Sequence, residues 1–164
     1  MIDVKRAITL MASHSVDFVV IGGVALSLYS SAYVTYDIDF CFSRHRDNLR
    51  RISEALAPFN PRLRGFPKDL PFIWDEGSLS HGSVFTLAPD IGEIDLLTEV
   101  TGLGVYADVL NESVTFDLFG FVVNVLSIDG LIRAKNASGR EKDIPGLRIL
   151  EAIREASLDE EDEY

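Results

Sequence analysis

Phe18-Val19-Val20-Ile21 is a continuous apolar run that stops at Gly22-Gly23. It is too short for a helix and is bounded as a buried strand should be. Around it the alternation of apolar and polar positions predicts helical and extended segments in turn, with no internal repeat. Val4, Ile8 and Met11 recur at helical spacing, so residues 3–14 are predicted as an amphipathic helix ahead of that strand. A short helix over 24–30 starts at the glycines, and residues 36–42 read as a second strand. Residues 46–57 form an amphipathic helix stopped by Pro58, followed by a Pro- and Arg-rich connection through Pro67.

Residues 70–74, 83–87 and 91–97 read as further strands separated by glycine-containing turns. Residues 114–118 and 121–126 pair as a hairpin around Gly120. Ser127 suits the N-cap of a helix over 128–138, and Gly139 suits the position just past its end. A last helix over 143–156 closes the chain's regular structure. The expected architecture is α/β (α+β): a mixed sheet flanked by helices, in a single domain over 1–156, with an acidic, disordered tail over 157–164.

Composition narrows the class. With 164 residues and 47% hydrophobic content, the chain can bury a real core, yet no apolar run approaches the ~20 residues of a membrane span. The N-terminus carries an early acid and no apolar leader segment, and the single cysteine, Cys41, excludes an intrachain disulfide. Both point to a cytoplasmic protein without membrane contact. Cys41 follows Asp37 and Asp39 at the alternating positions, and its habit of burial predicts a small core residue.

The formal net charge of −11 argues against nonspecific coating of nucleic acid, which depends on neutralising phosphates. Five of those negatives lie in Asp159–Glu163. Arg44, Arg46, Arg50, Arg51, Arg62, Arg64 and Lys68 form a locally basic segment instead. It reads either as a solvated helix face or as a docking patch for an anionic acceptor such as an RNA end.

The candidate chemistry lies at Gly22-Gly23, at Thr35-Tyr36-Asp37-Ile38-Asp39, and at Asp95. Asp37 and Asp39 are two apart on a strand and share a face, where their charges repel unless a cation sits between them. That pattern predicts a divalent-metal site. Glycines opening a helix offer backbone N–H groups to phosphate. Asp95 interrupts the apolar strand Ile94-Asp95-Leu96-Leu97, and there an unpartnered acid is either an edge residue in water or a member of a polar site. If its strand lies beside that of Asp37 and Asp39, three carboxylates converge, able to hold two magnesium ions and to accept a proton from an attacking hydroxyl. Glu93 shares the face of Asp95 and can assist it or stand in for it.

This ordered set resembles the nucleotidyltransferase superfamily of polymerase-beta-like fold, in a minimal single-domain form. The segment Leu131-Ile132-x-x-Lys135-x-x-x-Gly139-Arg140-x-Lys142-Asp143 is similar to the one that closes many bacterial nucleotidyltransferase-like proteins, including those of abortive-infection and toxin–antitoxin systems. The resemblance implies a transferase that moves a nucleoside monophosphate from an NTP to an acceptor hydroxyl on a protein, an RNA end or a small molecule. It implies Mg2+, with Mn2+ as a substitute, held by Asp37, Asp39 and Asp95.

Gly22, Gly23, Thr35, Lys135, Arg140 and Lys142 are then the nucleotide-binding residues. Arg140 and Lys142 are also what a helix terminus favours, and Lys135, a turn further in, can face a carboxylate instead. Two departures stand out. Tyr33 occupies the position where many relatives have an arginine, and no serine follows the first glycine. Tyr33 favours a second reading, a catalytically degenerate module that binds nucleotide or a partner protein. Phe72, Trp74, Phe85, Phe116, Phe119 and Phe121 are expected to pack in the core or on the sheet, His81 to sit in an exposed turn, and Tyr106 to pack or touch a base.

Overall fold

The computed structural model describes residues 2–162. Its strands are β1 (Phe18–Ile21), β2 (Asp37–Phe42), β3 (Val84–Leu87), β4 (Glu93–Leu97), β5 (Glu99–Val100), β6 (Gly104–Val105), β7 (Ser113–Leu118) and β8 (Phe121–Leu126). The helices are α1 (Val4–Ser13), α2 (Gly22–Tyr29), α3 (Arg46–Leu56), α4 (Glu76–Ser80), α5 (Tyr106–Asn111), α6 (Ile128–Ser138) and α7 (Ile144–Asp162). Six strands form one mixed sheet in the order β3-β4-β2-β1-β8-β7, while β5 and β6 pair separately. β1 is antiparallel to β2 and parallel to β8, and β2 is parallel to β4.

Local chemistry accounts for most boundaries. Asp3 accepts a hydrogen bond from Arg6 N at 3.0 Å and starts α1, and Ser127 accepts from Gly130 N at 3.0 Å and starts α6. Gly139, with φ +62°, ends α6 in the left-handed conformation. The central strand β1 is buried at every position, as its unbroken apolar run requires. Phe18 and Phe40 meet edge to face at 5.1 Å on one side of the sheet, within a core that also holds Ile8, Met11, Phe42 and Ile52. α2, α6 and α7 pack together, and α2 and α6 line the cleft described below.

Three segments differ from expectation. Residues 70–74 are not a strand: Pro71 removes a backbone donor, and the free edge of β3 is taken by residues 62–64. Arg64 N donates to Thr86 O and Ala88 N to Arg62 O, both at 2.8 Å, around a Leu63–Leu87 bridge. Trp74 lies against α3 instead, its Nε1 donating to Ser53 O at 2.9 Å. α2 begins at Gly22 itself rather than at residue 24. α7 extends to Asp162, so the acidic segment from residue 157 begins inside that helix, and residues 163–164 lie outside the described residues.

Candidate active site

β2 and β4 run side by side in register, Asp37 opposite Glu93 and Asp39 opposite Asp95. Two-residue periodicity puts Asp37 and Asp39 on one face, and pairing brings Asp95 to the same face from a strand 56 residues further along the chain. One carboxylate oxygen from each of Asp37, Asp39 and Asp95 lies within 4.8 Å of the others. Asp39 is pushed up to about 8, first by burial, then by its hydrogen bond to Asp95 and the negative charges of Asp37 and Asp95, with Arg140 opposing. Carboxylates so placed repel one another, and a cation between them relieves that repulsion. An all-oxygen set of this kind fits a hard divalent ion such as Mg2+ or Mn2+. Cys41 continues the same unbulged strand, yet it is fully buried and its thiol is pushed up to about 12 by burial, which makes it an inert core residue.

Behind Asp39 lies the glycine pair. Gly22 has φ +66°, and a Cβ there would overlap the Asp39 carboxylate. A Cβ on Gly23 would stand 2.8 Å from Thr35 Oγ1 and 3.1 Å from Tyr33 Cε1. The glycines are therefore required for close approach of the 33–39 segment, independently of any phosphate. Thr35, expected at the nucleotide, donates to Asp37 O at 3.1 Å and lies 3.2 Å from Asp37 Oδ1, so in this structure it orients the first aspartate.

The three aspartates, both glycines, Tyr33 and Thr35 open into a cleft of about 690 Å³. Lys135, Arg140 and Lys142 line the same cleft, which brings all nine predicted site residues to one cavity. Asp143 sits among these cations, 8% exposed, and takes Ser138 Oγ at 2.7 Å, Arg140 Nε at 2.8 Å and Lys135 Nζ at 3.3 Å. Lys135 thus has the carboxylate partner that its inward position allowed. Lys142 lines the cleft with no ion-pair partner among the described residues.

The sequence reading missed the role of Arg64. Rather than belonging to a solvated helix face, it lies on the acid pair of β4, with Nη2 3.0 Å from Asp95 Oδ1 and Nε 3.5 Å from Glu93 Oε1. Nothing local marks it, because the contact spans a separation of 31 residues. Much of the remaining basic segment is also engaged: Arg62 donates to Pro67 O at 3.2 Å, Arg44 to Ser80 O at 3.2 Å, and Arg50 lies between Asp47 and Glu54 at 4.0 Å from each. His81 is exposed at the end of α4, and Tyr106 borders a separate cavity with Asp17 and Phe121.

No protein-family model matches the chain, and no curated protein does. Solved structures do. One is an antigenic nucleotidyltransferase-like protein from Paracoccidioides brasiliensis, similar with TM-score 0.51 and 16% identity over 92% of this chain and 73% of that one. Another is ANT(2")-Ia in complex with adenylyl-2"-tobramycin, with TM-score 0.52 and 14% identity over 92% of each chain. At these identities what is common is the architecture, and by it this chain has a nucleotidyltransferase fold.

Proposed function

We propose that the protein is a metal-dependent nucleotidyltransferase that moves a nucleoside monophosphate from an NTP to an acceptor hydroxyl and releases pyrophosphate. The observation that carries this reading is the meeting of Asp37, Asp39 and Asp95 on paired strands, in a cleft also lined by Lys135, Arg140 and Lys142. Asp37, Asp39 and Asp95 would hold Mg2+ or Mn2+, which when bound screens the triphosphate charge and makes the acceptor hydroxyl more acidic.

The chain's own residues supply the rest. Gly22 and Gly23 offer backbone N–H groups at the start of α2, and Lys135, Arg140 and Lys142, which line the same cleft, meet the triphosphate. Asp95 is the candidate to take the acceptor's proton. As the acceptor oxygen bonds to the α-phosphorus, the α–β P–O bond breaks and pyrophosphate departs along the cations.

A small molecule is the acceptor class best supported, ahead of a protein side chain or an RNA end. The adenylyl-2"-tobramycin held by ANT(2")-Ia supports both adenylyl transfer and a small acceptor. Arg64 and Arg50 face carboxylates of the chain itself, and Arg44 and Arg62 are tied to backbone carbonyls, which leaves the segment less free to track an RNA backbone. No helix among the described residues is long and apolar enough to cross a membrane, and we place the protein in the cytoplasm.

A toxin–antitoxin or abortive-infection role rests on the resemblance of the Leu131–Asp143 segment. Harmless overexpression in the native host without the neighbouring gene would overturn it. One observation favours the second reading, a degenerate nucleotide- or partner-binding module: the Tyr33 ring lines the cleft against Gly23. Calorimetric titration of the four NTPs with Mg2+ into wild type and Asp39→Asn separates the two. Metal-dependent binding that Asp39→Asn abolishes supports the transferase. A folded wild type that binds no NTP supports the partner-binding module, and NTP bound without transfer supports the nucleotide-binding one.

A further inference from the structure

Arg64 is held from two sides. Its backbone is pinned to the edge of β3 by the Arg64 N to Thr86 O bond, and its Nη2 also donates to Leu87 O at 3.2 Å. From there the guanidinium, one-third exposed, crosses β3 to reach Asp95 and Glu93 on β4. It approaches from the side of the sheet away from β2, which carries Asp37 and Asp39.

Glu93 has a strong claim to the metal site by register alone. It stands opposite Asp37 and shares a strand face with Asp95. The converging set nevertheless comprises Asp37, Asp39 and Asp95, and Glu93 is paired with Arg64.

We infer that Arg64 is a positioning residue that draws Glu93 out of the carboxylate cluster and ties down one oxygen of Asp95, limiting the cation's protein ligands to three. This rests on the reading of the three aspartates as a divalent-metal site. Mg2+ prefers six oxygen ligands, and a fourth carboxylate would leave fewer positions for triphosphate and acceptor oxygens. Arg64 therefore gives up metal affinity in return for open coordination positions. Its loss removes a positive charge and frees a negative one, so the metal binds more tightly. A purely structural role predicts the opposite sign.

The test is titration of Mn2+ alone, with free Mn2+ read by electron paramagnetic resonance. The proteins are wild type, Asp39→Asn, Arg64→Gln, Arg64→Lys, Glu93→Gln and the Arg64→Gln/Glu93→Gln double variant. Arg64→Gln is expected to bind Mn2+ roughly tenfold more tightly, and the double variant to lose most of that gain. Arg64→Lys keeps the charge without the fork and falls between wild type and Arg64→Gln. Water-proton relaxation by bound Mn2+ should drop in Arg64→Gln as Glu93 replaces a water.

Unchanged or weaker Mn2+ binding in folded Arg64→Gln overturns the inference. If that variant does not fold, Glu93→Gln decides: affinity like that of wild type supports the inference, and a marked loss shows Glu93 already to be a ligand. Asp39→Asn separates the two levels of argument. If it binds Mn2+ as wild type does, the metal-site reading itself fails. If it loses Mn2+ while Arg64→Gln gains nothing, only the role of Arg64 fails.

Discussion

Asp143 Oδ1 lies 3.3 Å from Lys135 Nζ, and the same carboxylate takes Arg140 Nε at 2.8 Å. One anion thereby joins the end of α6 to the turn before α7 and holds two cations on the wall of the cleft. Burial alone would raise this carboxyl, yet the hydrogen bonds from Ser138 and Arg140 and the charge of Lys135 hold it below its ordinary value.

Replacing Asp143 with Asn should lower stability by roughly 2 kcal/mol near neutral pH, because Lys135 and Arg140 lose their anion. A carboxyl held low in the folded state stabilises above the ordinary value of 3.8, and that contribution disappears as pH falls through the depressed folded value. Melting curves from pH 7 downward should therefore show wild type and Asp143→Asn converging at the acid end. The variant should also bind NTP more weakly, with two cations no longer held in place.

Asp39→Asn should abolish nucleotidyl transfer while leaving the fold intact, since the residue lies opposite Asp95 and its carboxyl is pushed up by burial and by its carboxylate neighbours. Circular dichroism and a transfer assay on the same preparation check this. Unaltered transfer would sink the proposed function.

The pH dependence of the metal-free protein follows from the same residue. Asp39 rises from 3.8 in the unfolded chain to about 8 in the folded one, so the folded state binds more protons between these values. Stability from this group is thus full below about pH 4, declines as pH rises, and is gone above about pH 8. Mg2+ should reverse the loss at pH 8, and its affinity should rise with pH up to about 8 as the competing proton leaves. Melting temperatures with and without Mg2+ measure both effects, and Asp39→Asn should remove them.

Gly22→Ala tests the close approach at φ +66°. The left-handed backbone disfavours Ala, and the added Cβ meets the Asp39 carboxylate, so a loss of roughly 2 kcal/mol is expected. Mn2+ affinity should fall as well, because Asp39 is displaced. A variant with wild-type melting temperature and Mn2+ binding would show that the segment has room to spare.

The chain's own order determined everything that depends on near neighbours. The apolar run of β1, the shared face of Asp37 and Asp39, the hairpin turn at Gly120 and the Ser127 and Gly139 caps all follow from two-residue or 3.6-residue periodicity and local backbone chemistry. Even the glycine pair was visible, although part of its reason, room for Asp39, Thr35 and Tyr33, emerges only in three dimensions.

Tertiary structure alone decided which strands became neighbours. Residues 70–74 have strand-like composition, but the edge of β3 was filled by residues 62–64. The same docking carried Arg64 onto Asp95 and Glu93, and the packing of α6 against α7 made Asp143 the anchor of Lys135. Contacts of this kind join residues whose spacing carries no period. They are settled by which surfaces pack against one another to bury the core, and no local pattern encodes that choice.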